Sequence, residues 1–317
     1  MPTNNKRILY IISLVVIIII TFSSFYIFKN ITEQEQRTGS NSTFKQIQVV
    51  TTIYPIYEFT RQVAGDLINV TNITPNGVEP HDYEPSPQQI AKIYQNQLMI
   101  FNGSAVDPWA EKLESDLRGK GVPTVNLSYE VNSDLIKTGQ NNEIDPHFWL
   151  DPVIAQKEVD IIAKKLGDID QKNSQTYLTN AKNYNAKLAD LNTEYSSLLS
   201  NCSQKTIVTS HNAFSYLSKR YGFEIVTIAG FDPESEPSSQ QIAEIIKITK
   251  DKNIKYIAFE TLASPKLSQT IANEADAQTI VLNPIEGLTQ EDQQNQQDYI
   301  SISKDNLTSL RSMLECK

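Results

Sequence analysis

The chain has 317 residues, 21% of them charged, and a net charge of −9. No cluster of lysine and arginine stands out beyond the N-terminus, which argues against nucleic acid as a partner because phosphate neutralisation needs a basic face. Two cysteines, Cys202 and Cys316, are too few for a disulfide scaffold or a cysteine-based zinc site.

The N-terminus indicates the compartment. Residues 8–28 form an uncharged apolar run after Lys6 and Arg7, long enough to cross a bilayer. Neither a cleavage site nor a cysteine for lipid attachment follows, so we expect residues 1–28 to be an uncleaved anchor with its N-terminus in the cytoplasm. Residues 29–46 are polar and predict a flexible tether. The remaining chain should then lie outside the cytoplasm.

An extracytoplasmic location allows the two cysteines to bond. We expect a disulfide between Cys202 and Cys316, and two free buried thiols are the alternative.

From Ile47 onward, strand-like and helical segments alternate twice. In the first half, strands are predicted at residues 47–53, 68–74, 98–103 and 123–128, and helices at 56–66, 86–96 and 108–119. In the second half, strands are predicted at residues 205–210, 224–230, 254–260 and 278–284, and helices at 212–222, 238–253, 264–277 and 291–314. This order predicts a parallel sheet in each half.

Residues 153–200 contain no proline and one glycine, which favours helix. Apolar side chains at helical spacing from Ser174 to Ser200 predict one long helix of about 40 Å. Two shorter helices with a break near residues 167–173 are the alternative. The predicted fold is α/β, with domains 47–152 and 201–317 joined by a long rigid helix and a metal site in the interdomain cleft.

Each of the three histidines follows a predicted strand. His81 lies in the proline-rich stretch GVEPHDYEPSP, His147 in IDPHFWLDP, and His211 directly after a strand. In parallel sheets, ligands bind where the carboxyl ends of strands meet. We expect a fourth ligand from the second half, and Glu286 is the candidate because proline and glycine stiffen its loop.

Three imidazoles and one carboxylate are typical of tetrahedral Zn²⁺. Mn²⁺ is less favoured because harder cations prefer more oxygen ligands. Asp82 and Glu84 are candidates to orient an imidazole through its other nitrogen, with ordinary loop solvation as the alternative. A zinc hydrolase would need an open coordination position and a general base, and the sequence has no HExxH motif. We therefore expect a binding protein, not an enzyme.

Six segments carry a family resemblance: TTIYPIYEFTRQVAGD, EPHDYEPSP, IFNGSAVDPW, DPHFWLDP, TSHNAFSYL and LNPIEGLT. Over residues 47–316 the chain resembles the ZnuA-like, cluster A-I solute-binding proteins of bacterial zinc and manganese ABC importers. The resemblance implies two α/β domains joined by a long helix, with His81, His147, His211 and Glu286 as the metal ligands. Manganese-selective members have a carboxylate in place of the third histidine, so His211 favours zinc.

The resemblance also implies a role and partners. The chain would capture Zn²⁺ and deliver it to an ABC permease and its ATPase, as a monomer tethered to the membrane through residues 8–28. A manganese importer component and a surface adhesin on the same fold are the alternatives. The histidine-rich loop of many zinc-binding members is missing, since residues 104–144 contain no histidine.

Overall fold

A computed structural model describes residues 46–103, 106–138 and 143–317. The predicted anchor, and the predicted tether except Gln46, lie outside this described part of the chain. Among the described residues, no helix is both long and apolar enough to cross a membrane. Residues Ile47–Lys317 form one compact unit, which contains every feature discussed below.

The first half builds a four-stranded sheet. Its strands are β1 (Ile47–Thr51), β2 (Ile68–Asn72), β3 (Leu98–Phe101) and β4 (Thr124–Asn126), and its helices are α1 (Tyr54–Ala64), α2 (Pro87–Ile93), α3 (Pro108–Gly119) and α4 (Leu127–Glu130). The strands are parallel and lie in the order β2-β1-β3-β4. The central strands β1 and β3 carry buried apolar side chains, as expected for a sheet covered by helices.

Prolines and caps set where these helices begin. Helices α1, α2 and α3 each have proline in the first turn, where its fixed φ suits the helix and its missing N–H is not needed. At α2, Ser86 and Gln89 form a capping box that satisfies two backbone donors. The same rigid entry into α2 ends the loop that carries His81.

A short hairpin and two long helices connect the halves. Strands β5 (Lys137–Thr138) and β6 (Glu143–Ile144) pair antiparallel and were not predicted, because two-residue strands carry no periodic pattern. Helices α5 (Pro152–Ile169) and α6 (Ser174–Leu198) follow. The predicted long helix and the alternative break are therefore both present, with the break at residues 170–173.

Helix α6 spans about 38 Å at 1.5 Å per residue. One face is buried, through Tyr177, Ala181, Tyr184, Leu188, Leu191 and Tyr195. This face packs against α1 and α5 and, further along, against the last helix of the chain, where the Tyr195 hydroxyl donates to the carbonyl of Ser303 at 2.6 Å. The helix thus contacts elements of both halves.

The second half repeats the arrangement of the first. Its strands are β7 (Thr206–Thr209), β8 (Glu224–Thr227), β9 (Tyr256–Phe259) and β10 (Gln278–Val281), and its helices are α7 (Ser215–Tyr221), α8 (Ser239–Asp251), α9 (Lys266–Glu274), α10 (Gln290–Gln294) and α11 (Tyr299–Met313). The parallel order is β10-β9-β7-β8, so in both sheets the first and third strands are central. The predicted fold class is confirmed.

One predicted helix is wrong in its extent. The expected helix over residues 291–314 is two helices, because Gln296 takes a left-handed φ of 53° and Asp298 starts a new capping box with Ser301.

Cys202 and Cys316 are joined in a disulfide that ties the approach to β7 to the residues after α11. The largest hydrophobic core draws side chains from both halves. The boundaries of the two domains stay a prediction.

Candidate metal centre

The four predicted ligands meet between the two sheets. His81 comes from the loop after β2, His147 from the segment before α5, His211 from the end of β7, and Glu286 from the loop after β10. One nitrogen or oxygen atom from each lies within 4.8 Å of the others. His147, His211 and Glu286 are buried, and the side chain of His81 is 3% exposed. Loops from both sheets therefore build one enclosed cluster.

The distances within the cluster fit a tetrahedral ion. The Nε2 atom of His147 lies 3.3 Å from that of His81 and 3.2 Å from that of His211. The Oε1 atom of Glu286 lies 3.2 Å from Nε2 of His147 and 3.5 Å from Nε2 of both other histidines. Bonds of about 2.0–2.1 Å to one tetrahedral Zn²⁺ would separate neighbouring ligand atoms by about 3.3–3.4 Å.

Two buried carboxylates orient the histidine rings. Nδ1 of His147 lies 2.8 Å from Oδ1 of Asp145, and Nδ1 of His211 lies 2.5 Å from Oε1 of Glu260. A carboxylate accepts, so each Nδ1 carries a proton, and in the neutral form of each ring the Nε2 lone pair faces the centre. Both oxygens of Glu286 are also buried without a hydrogen-bond partner among the described residues. Acceptor atoms that face one another in this way require a cation between them.

Without a metal, protons supply that positive charge. Burial opposes charge on both rings, but Asp145 and Glu286 raise the pKa of His147, and Glu260 and Glu286 raise the pKa of His211 well above its usual range. Burial also opposes the charge of Glu286, yet its three histidine neighbours hold its pKa well below the usual range. The site therefore binds either protons or a metal.

Hydrogen bonds hold the segment that carries His147. The carboxylate of Asp145 accepts from the backbone N–H of His147 at 3.0 Å, and the Asn102 amide donates to the carbonyl of Pro146 at 3.0 Å. The hydroxyl of Tyr216, in the second half, donates to the carbonyl of Asp145 at 2.8 Å. The orientation of His147 thus depends on both halves of the fold.

The loop that carries Glu286 is strained and held in place. Ile285 has a φ of 60°, a conformation that β-branched residues rarely adopt and that costs on the order of 1–3 kcal/mol. Its N–H donates to the side chain of Asn283 at 2.8 Å, and the N–H of Asn283 donates to the side chain of Asn306 at 2.8 Å. These bonds fix the backbone, so the Glu286 carboxylate is positioned before metal arrives.

The loop that carries His81 is held more lightly. The N–H of His81 donates to Oε1 of Glu79 at 3.2 Å, and the N–H of Gly77 donates to the carbonyl of Leu288 at 2.9 Å, which joins this loop to the Glu286 loop. Burial, together with the neighbouring Glu286 charge, raises the pKa of Glu79 to about 9. Glu79 is therefore uncharged at neutral pH in the metal-free protein.

Of the two alternatives for Asp82 and Glu84, the structure favours loop solvation. Both side chains are exposed, and in the described contacts neither bonds an imidazole, because His81 turns inward while its neighbours face solvent. Asp145 and Glu260 instead accept hydrogen bonds from Nδ1 of His147 and His211. The sequence carried a signal for each: Asp145 lies two residues before His147, and Glu260 directly follows β9, the strand beside β7.

Two parallel α/β sheets with a buried cluster of three histidines and a glutamate at their carboxyl ends define a metal-binding protein. Residues 49–313 match the family model described as "Zinc-uptake complex component A periplasmic". The chain belongs to this family.

Named relatives agree with the family match. The high-affinity zinc uptake system protein ZnuA of Bacillus subtilis is 38% identical over 292 residues, 88% of this chain and 91% of that protein. The Zn(II)-bound crystal structure of AdcA from Streptococcus pneumoniae is 40% identical, with a TM-score of 0.76 over 85% of this chain and 58% of AdcA. The chain thus spans little more than half of AdcA.

A further solved structure is the laminin-binding protein Lmb of Streptococcus agalactiae, described as a bifunctional protein with adhesin and metal transporting activity. It is 33% identical, with a TM-score of 0.76 over 85% of this chain and 100% of that chain.

Proposed function

We propose that this protein is the extracytoplasmic solute-binding component of an ABC importer that captures Zn²⁺ with His81, His147, His211 and Glu286 and delivers it to a membrane permease. One observation carries the proposal: four acceptor atoms converge in a buried site, with Nε2 of His147 and Oε1 of Glu286 each 3.2–3.5 Å from the other ligand atoms. The family match and the zinc-named relatives support the same cargo.

The donor set favours Zn²⁺ over Mn²⁺. Three imidazole nitrogens and one carboxylate oxygen suit zinc, whereas Mn²⁺ favours carboxylate, carbonyl and water oxygens. His211 supplies the third nitrogen, and its ring is fixed with Nε2 toward the other ligands. Zinc also stands above manganese in the general order of affinity for such sites, so both factors act in the same direction.

The ligand set also favours binding over catalysis. A catalytic zinc keeps one position open for water, whereas Glu286 would complete a four-coordinate shell with the three histidines. Ligands from two sheets suit a carrier, because small relative movements of the two sheets would change the affinity for the ion. Such movements would occur between the proposed domains 47–152 and 201–317, which residues 153–200 join.

Location and partners complete the proposal. An anchor at residues 8–28 would keep a monomer near the permease and ATPase of the importer. The disulfide between Cys202 and Cys316 suits an oxidising compartment. The similarity to Lmb favours laminin attachment as a second candidate function, which direct binding of the purified protein to immobilised laminin would test.

Competition titration against a zinc chelator tests the central role. Purified protein, stripped of metal, should bind one Zn²⁺ tightly, and His147→Ala should weaken binding by at least 100-fold because it removes one of four ligands. Glu84→Gln, an exposed acid on the His81 loop, is the matched control and should bind as the unaltered protein does. Equal affinity in His147→Ala would refute the proposal.

A further inference from the structure

Glu260 is a buried carboxylate whose hydrogen bonds all involve one of its two oxygens. It directly follows β9 and is 3% exposed. Its Oε1 atom accepts from Nδ1 of His211 at 2.5 Å and from the hydroxyl of Ser210. Its other oxygen is buried without a hydrogen-bond partner in the described part of the chain. Burying a carboxylate is costly unless it is paired, so this arrangement would be unfavourable if it served packing alone.

The orientation of His211 depends on this carboxylate. The His211 ring is fully buried, and its Nε2 lies 3.2 Å from Nε2 of His147. An imidazole can place its proton on either nitrogen, and only the Nδ1-protonated form presents an Nε2 lone pair to an ion. Glu260 selects that form, since it accepts a hydrogen bond from Nδ1. Without its charge, the ring could place the proton on Nε2, which cannot bind a metal.

Tertiary structure supplies this contact. Asp145 precedes His147 by two residues, so His147 and its carboxylate partner lie in the same local segment. Glu260 and His211 are 49 residues apart and meet because β9 pairs with β7. The donor Ser210, the residue after β7, fixes the same oxygen from a second direction. Two donors on one oxygen leave the carboxylate little freedom to rotate.

Charge adds to the effect. A dication bound by Glu286 alone keeps a formal charge of about +1. Counting Glu260 and Asp145 as carboxylates brings the cluster to about −1, which favours a divalent over a monovalent cation. We propose that Glu260, held by Ser210, is a positioning residue that fixes the His211 ring for metal binding and thereby sets zinc affinity. This inference rests on the proposed zinc-binding function.

Glu260→Gln tests the inference because it keeps the size of the side chain and removes its charge. Zinc affinity, measured by chelator competition, should fall about 10- to 100-fold, the usual effect of removing a partner of a ligating histidine. The visible spectrum of bound Co²⁺ should also change in intensity and position, since the ligand field at His211 changes. A packing role alone would not move the spectrum.

Glu158→Gln is the matched control. Glu158 is fully buried, both its oxygens lack partners in the described residues, and it is not among the cluster residues. It should leave zinc affinity and the Co²⁺ spectrum unchanged. If Glu260→Gln does not fold, Ser210→Ala removes one of the two donors and should weaken zinc binding about fivefold, as expected for one lost hydrogen bond.

The outcomes separate the two proposals. Tight zinc binding by the unaltered protein, with the same affinity and Co²⁺ spectrum in Glu260→Gln, would overturn the positioning role and leave the proposed function standing. If Glu260→Gln does not fold, unchanged zinc affinity in Ser210→Ala would also overturn the positioning role. Failure of the unaltered protein to bind one Zn²⁺ would instead reject the proposed function.

Discussion

Zinc binding should displace protons from the site. The number of protons displaced follows from the contacts of the His147 and His211 rings. The pKa of His147 and that of His211 are raised, because their carboxylate neighbours outweigh burial. His211 therefore holds an additional proton at neutral pH in the metal-free protein, and His147 keeps its additional proton to a higher pH than a free imidazole does. Each ring must lose that proton to coordinate an ion. Each proton displaced changes the binding free energy by about 1.4 kcal/mol per pH unit. Two protons imply an affinity gain of up to about 100-fold per pH unit.

The raised pKa values of His147 and His211 also affect the stability of the metal-free protein. This stability falls as pH rises, whereas zinc affinity increases. A histidine whose pKa is raised in the folded state contributes stability that is fully present below the unfolded pKa of about 6.5 and is lost as pH rises through the folded pKa. The metal-free protein should therefore lose this contribution above neutral pH. Zinc binding strengthens over the same range, so the zinc-induced rise in melting temperature should grow from pH 6 to pH 8.

Isothermal titration calorimetry at pH 7, in two buffers with different ionisation enthalpies, counts the released protons. We expect between one and two per zinc ion, and about one fewer for His211→Asn, which removes one of the two rings with a raised pKa. A binding enthalpy that is the same in both buffers, together with an affinity that does not change between pH 6 and pH 8, would refute the reasoning.

Three further outcomes are expected. Trp149→Phe should lower the free energy of unfolding by about 1–3 kcal/mol in urea, because the indole N–H donates to the carbonyl of Pro284 at 2.9 Å and that buried acceptor would be left unpaired; an unchanged midpoint would contradict this. Replacing Cys202 and Cys316 with serine should cost up to about 4–5 kcal/mol, given their separation of 114 residues, and equal stability of both forms would count against the bond. Burial, with a smaller contribution from a nearby carboxylate, raises the pKa of Glu158 well above the usual range, so its stability contribution is lost as pH rises above the unfolded pKa of about 4.3. Glu158→Gln should therefore stabilise the protein more at pH 8 than at pH 5, and a pH-independent effect would contradict this.

The sequence predicted the strands and the four candidate ligands for physical reasons. The central strands are short runs with buried apolar side chains, and edge strands such as β2 alternate apolar with polar residues. Both are local patterns that can be read from the sequence. The ligand candidates lie in stiff loops at strand ends, and the order of elements places such loops at one edge of each sheet. His211 and Glu286 could be assigned to the same edge before the strand order was known, because each follows a predicted strand.

Other features depend on contacts that local patterns do not encode. The order of strands, and with it the meeting of Glu260 with His211, follows from the pairing of β7 with β9. The hydrogen bond from Trp149 to Pro284 joins residues 135 positions apart. Asp82 and Glu84 had the right chemistry near a ligand, yet the loop turns them to solvent. Closeness to His81 in the sequence did not place these two carboxylates in contact with its ring.

X-ray absorption at the zinc edge, on the purified protein loaded with one equivalent of Zn²⁺, tests the central claim most directly. Four nitrogen or oxygen ligands at about 2.0–2.1 Å, with the multiple-scattering signal of three imidazoles, are expected from His81, His147, His211 and Glu286. A shell of six oxygen ligands, or a signal from fewer than three imidazoles, would contradict the account.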